Sequence, residues 1–168
     1  MARTTHGLFF VKTLSGGPPA KGNVDLKASI TYYEGQVLRA SATSGSAAKA
    51  SANCTAVLGV SGANIASADA GSTQMPYYLA NGDNVFEARM ISSGTAAKRF
   101  FDKVTFAVGT TNNYRVAQTA YNGAATACMR IVGVNPDDAT GTARNKRYWV
   151  VFNTENAITA GGGGTNAK

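Results

Sequence analysis

The chain has 168 residues, which is enough for one domain with a buried core but too few for several large domains. Charged residues make up only 15%, and 19 glycines accompany many small polar residues. This composition is typical of turn-rich β-proteins and excludes a Glu/Lys/Leu-rich helical bundle. The formal net charge of +7 favours a partner with negative potential, such as nucleic acid, a membrane surface or an acidic protein surface.

Residues 1–27 are predicted to form an extended N-terminal arm. The arm contains four adjacent apolar residues, Leu8, Phe9, Phe10 and Val11. A Gly-Gly-Pro-Pro break follows at 16–19 and ends any regular structure. The apolar run needs a place to be buried, so we expect it either to join the domain as an edge strand or to dock on a neighbouring subunit.

The apolar run is too short to be a targeting or membrane segment. Lys12 ends it well before the length of a signal-peptide core, and no other stretch approaches the roughly 20 apolar residues of a membrane helix. We therefore expect a protein that is made in a cytoplasm and has no membrane partner.

The region 28–155 is predicted to be one β-domain of short strands separated by turns. Apolar and β-branched runs predict the strands, at residues 30–33, 37–38, 56–60, 75–79, 85–91, 104–108, 114–117, 128–134 and 148–152. Because proline cannot donate a backbone hydrogen bond, the strand that contains Pro76 is expected to lie at a sheet edge or to begin at Pro76. Asn81-Gly82-Asp83 predicts a tight hairpin turn. We expect loops over 41–53 and 139–147. The Gly-rich segment 156–168 is predicted to be a flexible tail. The expected fold class is all-β, a barrel or sandwich of short antiparallel strands.

One short pattern occurs twice in the chain, 74 residues apart. The first copy contains Thr31, Gly35, Cys54, Gly59 and Val60, and identical residues stand at Thr105, Gly109, Cys128, Gly133 and Val134. Apolar positions match at the same offset. The repeat predicts a domain built from two related halves, about 28–101 and 102–155.

The two cysteines, Cys54 and Cys128, occupy matching places in this repeat. We interpret them as small buried hydrophobes. A disulfide between them is the alternative, which the sequence alone does not decide.

Residues that perform catalysis or bind metals are scarce. The one histidine, His6, lies in the arm, so neither a histidine base nor a His/Cys zinc site is expected. We interpret Glu34, Glu87 and Glu155 as solvent-facing residues and Asp137-Asp138 as part of a turn. Phosphate-binding glycine motifs are absent from the sequence. We therefore expect no enzyme activity, no cofactor and no metal.

Aromatic residues near bases provide an alternative binding chemistry. The candidates for stacking on single-stranded nucleic acid are Tyr32, Tyr77, Tyr114 and Trp149, near Arg115 and Arg147. Most such rings in a small β-domain are core or interface residues, so nucleic-acid binding is the less favoured interpretation.

Three short motifs follow one another along the first half. They are Gly35-Gln36-Val37-Leu38, Ala56-Val57-Leu58-Gly59-Val60 and Asp69-Ala70-Gly71, with a polar Ala/Ser loop after the first. In this order they resemble the small β-barrel decoration, or cement, proteins of tailed-bacteriophage capsids, over residues 30–153. The resemblance implies a non-enzymatic virion protein on the capsid exterior, commonly a homotrimer, which bridges subunits of the major capsid protein.

Two segments are predicted to contact the capsid or a second subunit. They are the apolar run Leu8, Phe9, Phe10 and Val11 and the basic loop with Arg144, Lys146 and Arg147. A glycan- or receptor-binding β-domain of a virion surface protein is the first alternative to this function. A basic nucleic-acid-binding barrel is the second.

Overall fold

The computed structural model describes residues 7–41, 46–50, 56–67, 69–89, 101, 103–108, 114–117, 128–138 and 147–153. Within these ranges the regular structure is eleven β-strands and one 3-10 turn. The strands are β1 Phe9–Thr13, β2 Lys21–Asp25, β3 Val37–Ala40, β4 Ala47–Lys49, β5 Val57–Ser61, β6 Gln74–Leu79, β7 Asn84–Arg89, β8 Lys103–Val108, β9 Tyr114–Ala117, β10 Met129–Val134 and β11 Arg147–Phe152. The 3-10 turn is Pro136–Asp138, after β10.

The strands form two antiparallel sheets, which confirms the predicted all-β class. One sheet has the order β1-β7-β11-β10-β8-β9 and the other has the order β2-β6-β5-β3-β4. No ladder between described strands joins the sheets into a barrel, so a sandwich is the one of the two expected architectures that fits. The five-stranded sheet curls until a single bridge joins Leu26, just after β2, to Ala47 on β4.

The two halves have the same strand order. Strands β2 to β6 are arranged 2-6-5-3-4, and strands β7 to β11 are arranged 7-11-10-8-9, so each number increases by five. Every neighbouring pair in both sets is antiparallel. Two related halves are therefore present as strand topology, but they cover residues 21–79 and 84–152. The predicted bounds of 28–101 and 102–155 differ because β2 belongs to the first half and β7 to the second, and β1 is an extra strand beside β7.

The first block of the sequence repeat does not form matching strands. Residues 104–108 belong to β8, but the equivalent segment 30–33 forms only a bridge between Tyr32 and Ile65. The Tyr32 ring is fully buried and covers one face of the five-stranded sheet. The prediction of a strand over 30–33 is therefore wrong. The Tyr32 ring packs over the smaller core, and the segment does not pair with a neighbouring strand beyond that one bridge.

The N-terminal segment contributes two edge strands to the sheets. β1 pairs with β7, with a bulge between Phe10 and Lys12, and β2 pairs with β6. The Phe10 ring stacks on the Tyr78 ring at a centroid distance of 4.7 Å and an interplanar angle of 2°. This contact joins the two sheets, so where an arm over 1–27 was predicted the structure places edge strands in residues 9–25.

One predicted turn and the predicted position of one strand are corrected by the topology. Asn81 starts a turn, since its side-chain oxygen accepts hydrogen bonds from the N–H groups of Asp83 and Asn84. The strands on either side, β6 and β7, lie in different sheets, so this turn is a crossover and not a hairpin. The strand with Pro76 lies between β2 and β5 and does not lie at an edge. The Pro76 carbonyl still accepts a hydrogen bond from Gly62.

Small residues also form a strand where a loop over 41–53 was expected. Ala47 and Ala48 are buried, and β4 pairs with β3 through Ala40, Arg39 and Leu38. Alanine is a weak strand former, so the pairing depends on tertiary packing.

The described part of the chain contains no helix that is long and apolar enough to cross a membrane.

Two hydrophobic cores hold the sandwich together. The larger core draws on both sheets and includes Phe86, Phe106, Tyr148 and Phe152 from the second half. The smaller core lies on the other face of the five-stranded sheet and is covered by residues such as Tyr32 and Ile65.

Cys128 is buried in the larger core and is disulfide-bonded. This bond corrects the preference for two unbonded cysteines, although Cys54 lies outside the described residues.

Candidate interaction surface

The described residues contain no arrangement suited to metal binding. No group of three or more His, Cys, Asp or Glu side chains in them lies close enough together to hold an ion. The two related halves differ on the faces that point away from the shared core.

The outer face of the five-stranded sheet is apolar and covered. Leu38, Met75 and Tyr77 lie on it in the smaller core, beneath Tyr32 and Ile65. Because this face is buried, it offers little surface for a partner.

The outer face of the six-stranded sheet is basic. In its strands, alternate residues face the larger core: Arg130, for example, stands between the buried Met129 and Ile131. The same alternation places one base from each of five strands on the outer side. We call this surface the basic face, and its bases are Lys12, Arg89, Lys103, Arg130 and Arg147.

The strand register aligns several of these residues in one row. Lys12 is paired with Val85 on β7, and Arg130 on β10 is paired with both Val151 and Lys103. Val85 and Val151, which lie between the bases in this row, are fully buried, so the row is exposed at its two ends. At the usual strand spacing the row spans about 19 Å, which is wide enough to contact several groups of a partner.

Like charges lie directly opposite each other at two places on this face. Arg130 is the cross-strand partner of Lys103, and Arg147 is the cross-strand partner of Arg89. Like charges in such positions destabilise a sheet by a few tenths to about 1 kcal/mol. An anionic partner would remove this repulsion, so the pairs indicate a surface suited to negative charge.

Only one of the two pairs is neutralised within the described part of the chain. The Arg147 guanidinium lies 3.7 Å from a Glu87 carboxylate oxygen and 3.5 Å from an Asp137 carboxylate oxygen. Asn135 donates a hydrogen bond of 2.6 Å to Glu87 and fixes that carboxylate. No carboxylate of the described residues forms an ion pair with Arg130 or Lys103, both of which are exposed.

Trp149 lies in the middle of the basic face, opposite Glu87. Its ring packs over Gly133, where a Cβ atom would lie 2.8 Å from the ring, and the Lys12 ammonium lies 4.5 Å from the ring centroid. The indole N–H is a buried donor with no hydrogen-bond partner among the described residues, which is unusual for a buried donor.

Phe101 lies at the margin of the basic face. Its backbone N–H donates a 2.8 Å hydrogen bond to Ile131, the residue after Arg130. Its side chain is 69% exposed, and its backbone has the left-handed φ of 67°. The Phe101 backbone therefore lies beside β10, next to Arg130.

The shifted pKa values belong to the other half of the molecule. Burial raises the pKa of the Tyr32 hydroxyl, with a smaller opposing effect of a backbone hydrogen bond at Lys27, and burial lowers the pKa of the Lys49 ammonium. The Lys49 ammonium lies 5.9 Å from the centroids of both the Tyr32 and Tyr33 rings. These shifts follow from packing around the smaller core and do not mark a reactive centre.

The structure divides the predicted contact residues between the core and the surface. Leu8 is 1% exposed, which corrects the prediction of a partner contact for this residue, and the half-buried Phe10 ring is stacked on Tyr78. Phe9 is half-buried and Val11 is 37% exposed. Arg147 lies on the basic face, whereas Arg144 and Lys146 lie outside the described residues.

The predicted stacking residues are divided in the same way. Tyr32 and Tyr77 are buried in the smaller core, which removes them as candidates. Trp149 and Arg147 lie together on the basic face. The side chains of Tyr114 and Arg115 lie outside the described residues.

Sequence reasoning missed Lys103, Arg130 and Phe101. Lys103 and Arg130 each stand next to a core residue with period-two alternation, a signal that was present in the sequence. Their pairing depends on the β8–β10 register, which the sequence does not contain. No protein-family model, curated protein or solved structure matches the chain.

Proposed function

We propose that the chain is a structural virion protein that binds the exterior of a phage capsid and stabilises it by bridging major capsid protein subunits. The resemblance of residues 30–153 to capsid decoration proteins gives the class of partner. The single observation that supports it most is the like-charge contact of Arg130 with Lys103 on the basic face, for which no described carboxylate forms an ion pair.

An acidic protein lattice suits this surface. Each exposed charge pair contributes little in water, about 0–1 kcal/mol. A shell presents the same acidic sites many times, and an oligomer that engages several of them gains affinity through effective concentration. We propose a homotrimer as the form that bridges neighbouring subunits, and a native mass measurement tests that part separately.

The binding experiment compares two double variants with equal changes in charge. Lys103→Glu/Arg130→Glu reverses the exposed pair on the basic face, and Lys27→Glu/Arg39→Glu reverses two exposed bases of the first half. Each variant is mixed with empty capsids from the virus that encodes the chain and then sedimented. We expect the first variant to lose at least tenfold in affinity and the control to bind within about threefold of the wild type.

Two outcomes of this sedimentation experiment would contradict the proposal. Equal losses for the two variants would show an effect of net charge alone, and no co-sedimentation of the wild-type chain would remove capsid binding altogether. Binding should also weaken steeply between 50 and 300 mM salt, since the contacts are screened within about 10 Å at 0.1 M.

Nucleic-acid binding is a second candidate because Trp149 lies beside Lys12 and Arg147 on the basic face. Aromatic rings next to bases bind single strands by stacking and by backbone charge. Two features weaken this candidate: Lys12 covers the Trp149 ring, and Glu87 and Asp137 neutralise Arg147. Titration of a fluorescent oligo(dT) at 150 mM salt tests it, and binding tighter than that to capsids would favour this function.

A further inference from the structure

Tyr33 is an exposed aromatic residue in the first half, next to the fully buried Tyr32. Its exposure is 49%. In the 74-residue repeat, Tyr33 and Glu34 match Ala107 and Val108, which end β8 in the second half. The first half therefore has an aromatic ring and a carboxylate where the second half has two aliphatic residues. The strand topology that the halves share does not require either side chain.

Two buried polar side chains hold the backbone at Tyr33. The Ser61 hydroxyl donates a 2.6 Å hydrogen bond to the Tyr33 carbonyl, and the Tyr33 N–H donates a 3.0 Å hydrogen bond to the Gln36 side-chain oxygen. Gln36 and Ser61 are each 1% exposed. Gly35 lies within the same turn with a φ of 83°, in the left-handed region that favours glycine. The exposed ring therefore extends from an ordered turn, which lowers the entropy cost of binding a ligand.

Polar groups of both kinds lie next to Tyr33. The Glu34 N–H donates a 2.8 Å hydrogen bond to the Asn64 side-chain oxygen, and both residues are exposed. Because the oxygen of the Asn64 amide accepts this bond, its nitrogen supplies N–H donors, while the Glu34 carboxylate supplies acceptors. The Lys49 ammonium, a further donor, lies 5.9 Å from the Tyr33 ring centroid.

We propose that Tyr33, Glu34 and Asn64 form a binding site for one sugar ring of a glycan. A pyranose has an apolar face of C–H groups and an edge of hydroxyls that both donate and accept hydrogen bonds. The electron-rich face of the Tyr33 ring suits the C–H groups. The Glu34 carboxylate and the Asn64 amide suit the hydroxyls, and a few such polar groups fix the orientation of a ligand.

The charge at this turn favours a sugar over single-stranded nucleic acid. A base stacked on Tyr33 would bring its phosphates close to the exposed Glu34 carboxylate, and like charges at short distance repel. The site belongs to the first half and shares no residue with the basic face. The inference therefore goes beyond the proposed function and does not rest on capsid binding.

The first experiment uses the free chain. The wild-type protein is applied at 150 mM salt to an array of bacterial surface polysaccharides and animal glycans. We expect it to bind at least one of them. A glycan that binds is then titrated into the ¹⁵N-labelled chain, and the amide signals of Tyr33 and Glu34 should shift more than those of the basic face.

Three variants separate the ring from general effects on the surface. Tyr33→Ala should weaken glycan binding by about tenfold or more, since the stacking ring is lost. Tyr33→Phe keeps the ring and should bind within about threefold of the wild type. Leu14→Ala is the matched control, because Leu14 is a large apolar residue of similar exposure, 51%. It should bind like the wild type, and all three variants should melt close to the wild-type temperature, as expected for exposed positions.

The outcomes distinguish this site from the proposed function. If no glycan binds the wild-type chain, or if Tyr33→Ala binds as well as the wild type, the sugar site is wrong, and the capsid sedimentation result stands on its own. An equal loss for Leu14→Ala would show a general effect of exposed apolar surface and would also overturn it. If Tyr33→Ala loses affinity for oligo(dT) and not for a glycan, the ring stacks on nucleic acid and the sugar site is excluded.

Discussion

Gly59 and Gly133 occupy matching positions in the two halves, and each lies beneath an aromatic ring from the next strand. A Cβ on Gly59 would collide with the Tyr78 carbonyl oxygen and would lie 2.8 Å from the Tyr77 ring. A Cβ on Gly133 would meet the Trp149 ring alone at 2.8 Å. Glycine therefore recurs at this position because a neighbouring strand approaches closely in both halves. The atoms in the way are backbone and ring atoms at Gly59 and side-chain atoms at Gly133.

This difference predicts unequal effects of the same substitution. Gly59→Ala should destabilise the fold by about 3 kcal/mol, because the backbone of β6 must move, whereas Gly133→Ala should cost about 1 to 2 kcal/mol as the Trp149 ring shifts. Urea unfolding followed by tryptophan fluorescence measures both. A larger effect at Gly133 would contradict this explanation of the repeat.

Tyr32 gives a prediction in the alkaline range. Its ring is buried, and its hydroxyl donates to the Ala47 carbonyl at 3.2 Å. Because burial raises the pKa of this hydroxyl in the folded state, the unfolded chain loses the proton first, near the ordinary value of about 10. Stability that is fully present below pH 10 should therefore fall as the pH rises above it.

The matched variant for this effect is Tyr32→Phe. At pH 8 it should be less stable than the wild type by about 1 kcal/mol, since one hydrogen bond is lost. At pH 10.5 the gap should be smaller, because the variant has no phenol to ionise at this position. Urea unfolding at the two pH values measures the gap, and a gap that widens would contradict the assigned pKa direction.

At the level of elements, β1 shows how an apolar run near a terminus is buried. Leu8→Ala removes a side chain that is packed in the larger core, so we expect a loss of about 2 to 4 kcal/mol. Val11→Ala, at the bulge and partly exposed, should change stability by less than about 0.5 kcal/mol. Thermal unfolding measures both, and equal small effects would show that the segment is an arm and not an edge strand.

The segment that leads into β10 is held by the Cys128 disulfide. Cys128→Ala should lower the free energy of unfolding by about 2 to 4 kcal/mol, and a reducing agent should lower the melting temperature of the wild type to about that of the variant. The same agent should leave the melting temperature of the variant unchanged. Titration of thiols in denaturant, without reductant, should detect none in the wild type.

The strands that the sequence predicted well are those with strong alternation. In β7, Phe86 and Ala88 face the core while Glu87 faces outward, as the pattern indicates. The sequence was misleading where tertiary contacts decide the structure. Residues 30–33 have strand-forming types but cover a core, and the Asn81-Gly82 turn crosses between sheets because β6 and β7 find other partners.

The candidate surface was less predictable than the fold. Composition and charge indicated an anionic partner, and Trp149 with Arg147 was identified as a pair. The like-charge contact of Arg130 with Lys103 joins residues that are far apart in the chain and follows only from the β8–β10 register. The exposed Phe101 depends on a local backbone conformation that its residue type does not favour.

At the scale of the whole molecule, two halves of the same strand order have different outer faces. The first half covers its outer face with the smaller core, and the second half presents bases there. A duplicated fold can serve as a rigid support while one half alone supplies the contact. We expect contacts with an acidic lattice to be made by the second half.

Zero-length crosslinking with a carbodiimide tests this central claim most directly, because it joins lysine amines only to carboxylates in contact with them. The chain is bound to empty capsids, crosslinked and digested, and the linked peptides are identified by mass spectrometry. Lys12 and Lys103 represent the basic face, and the exposed Lys21 and Lys27 of the first half serve as internal controls. We predict links from Lys103 and Lys12 to acidic residues of the major capsid protein. Links from Lys21 and Lys27 alone, or none from a bound chain, would contradict the account.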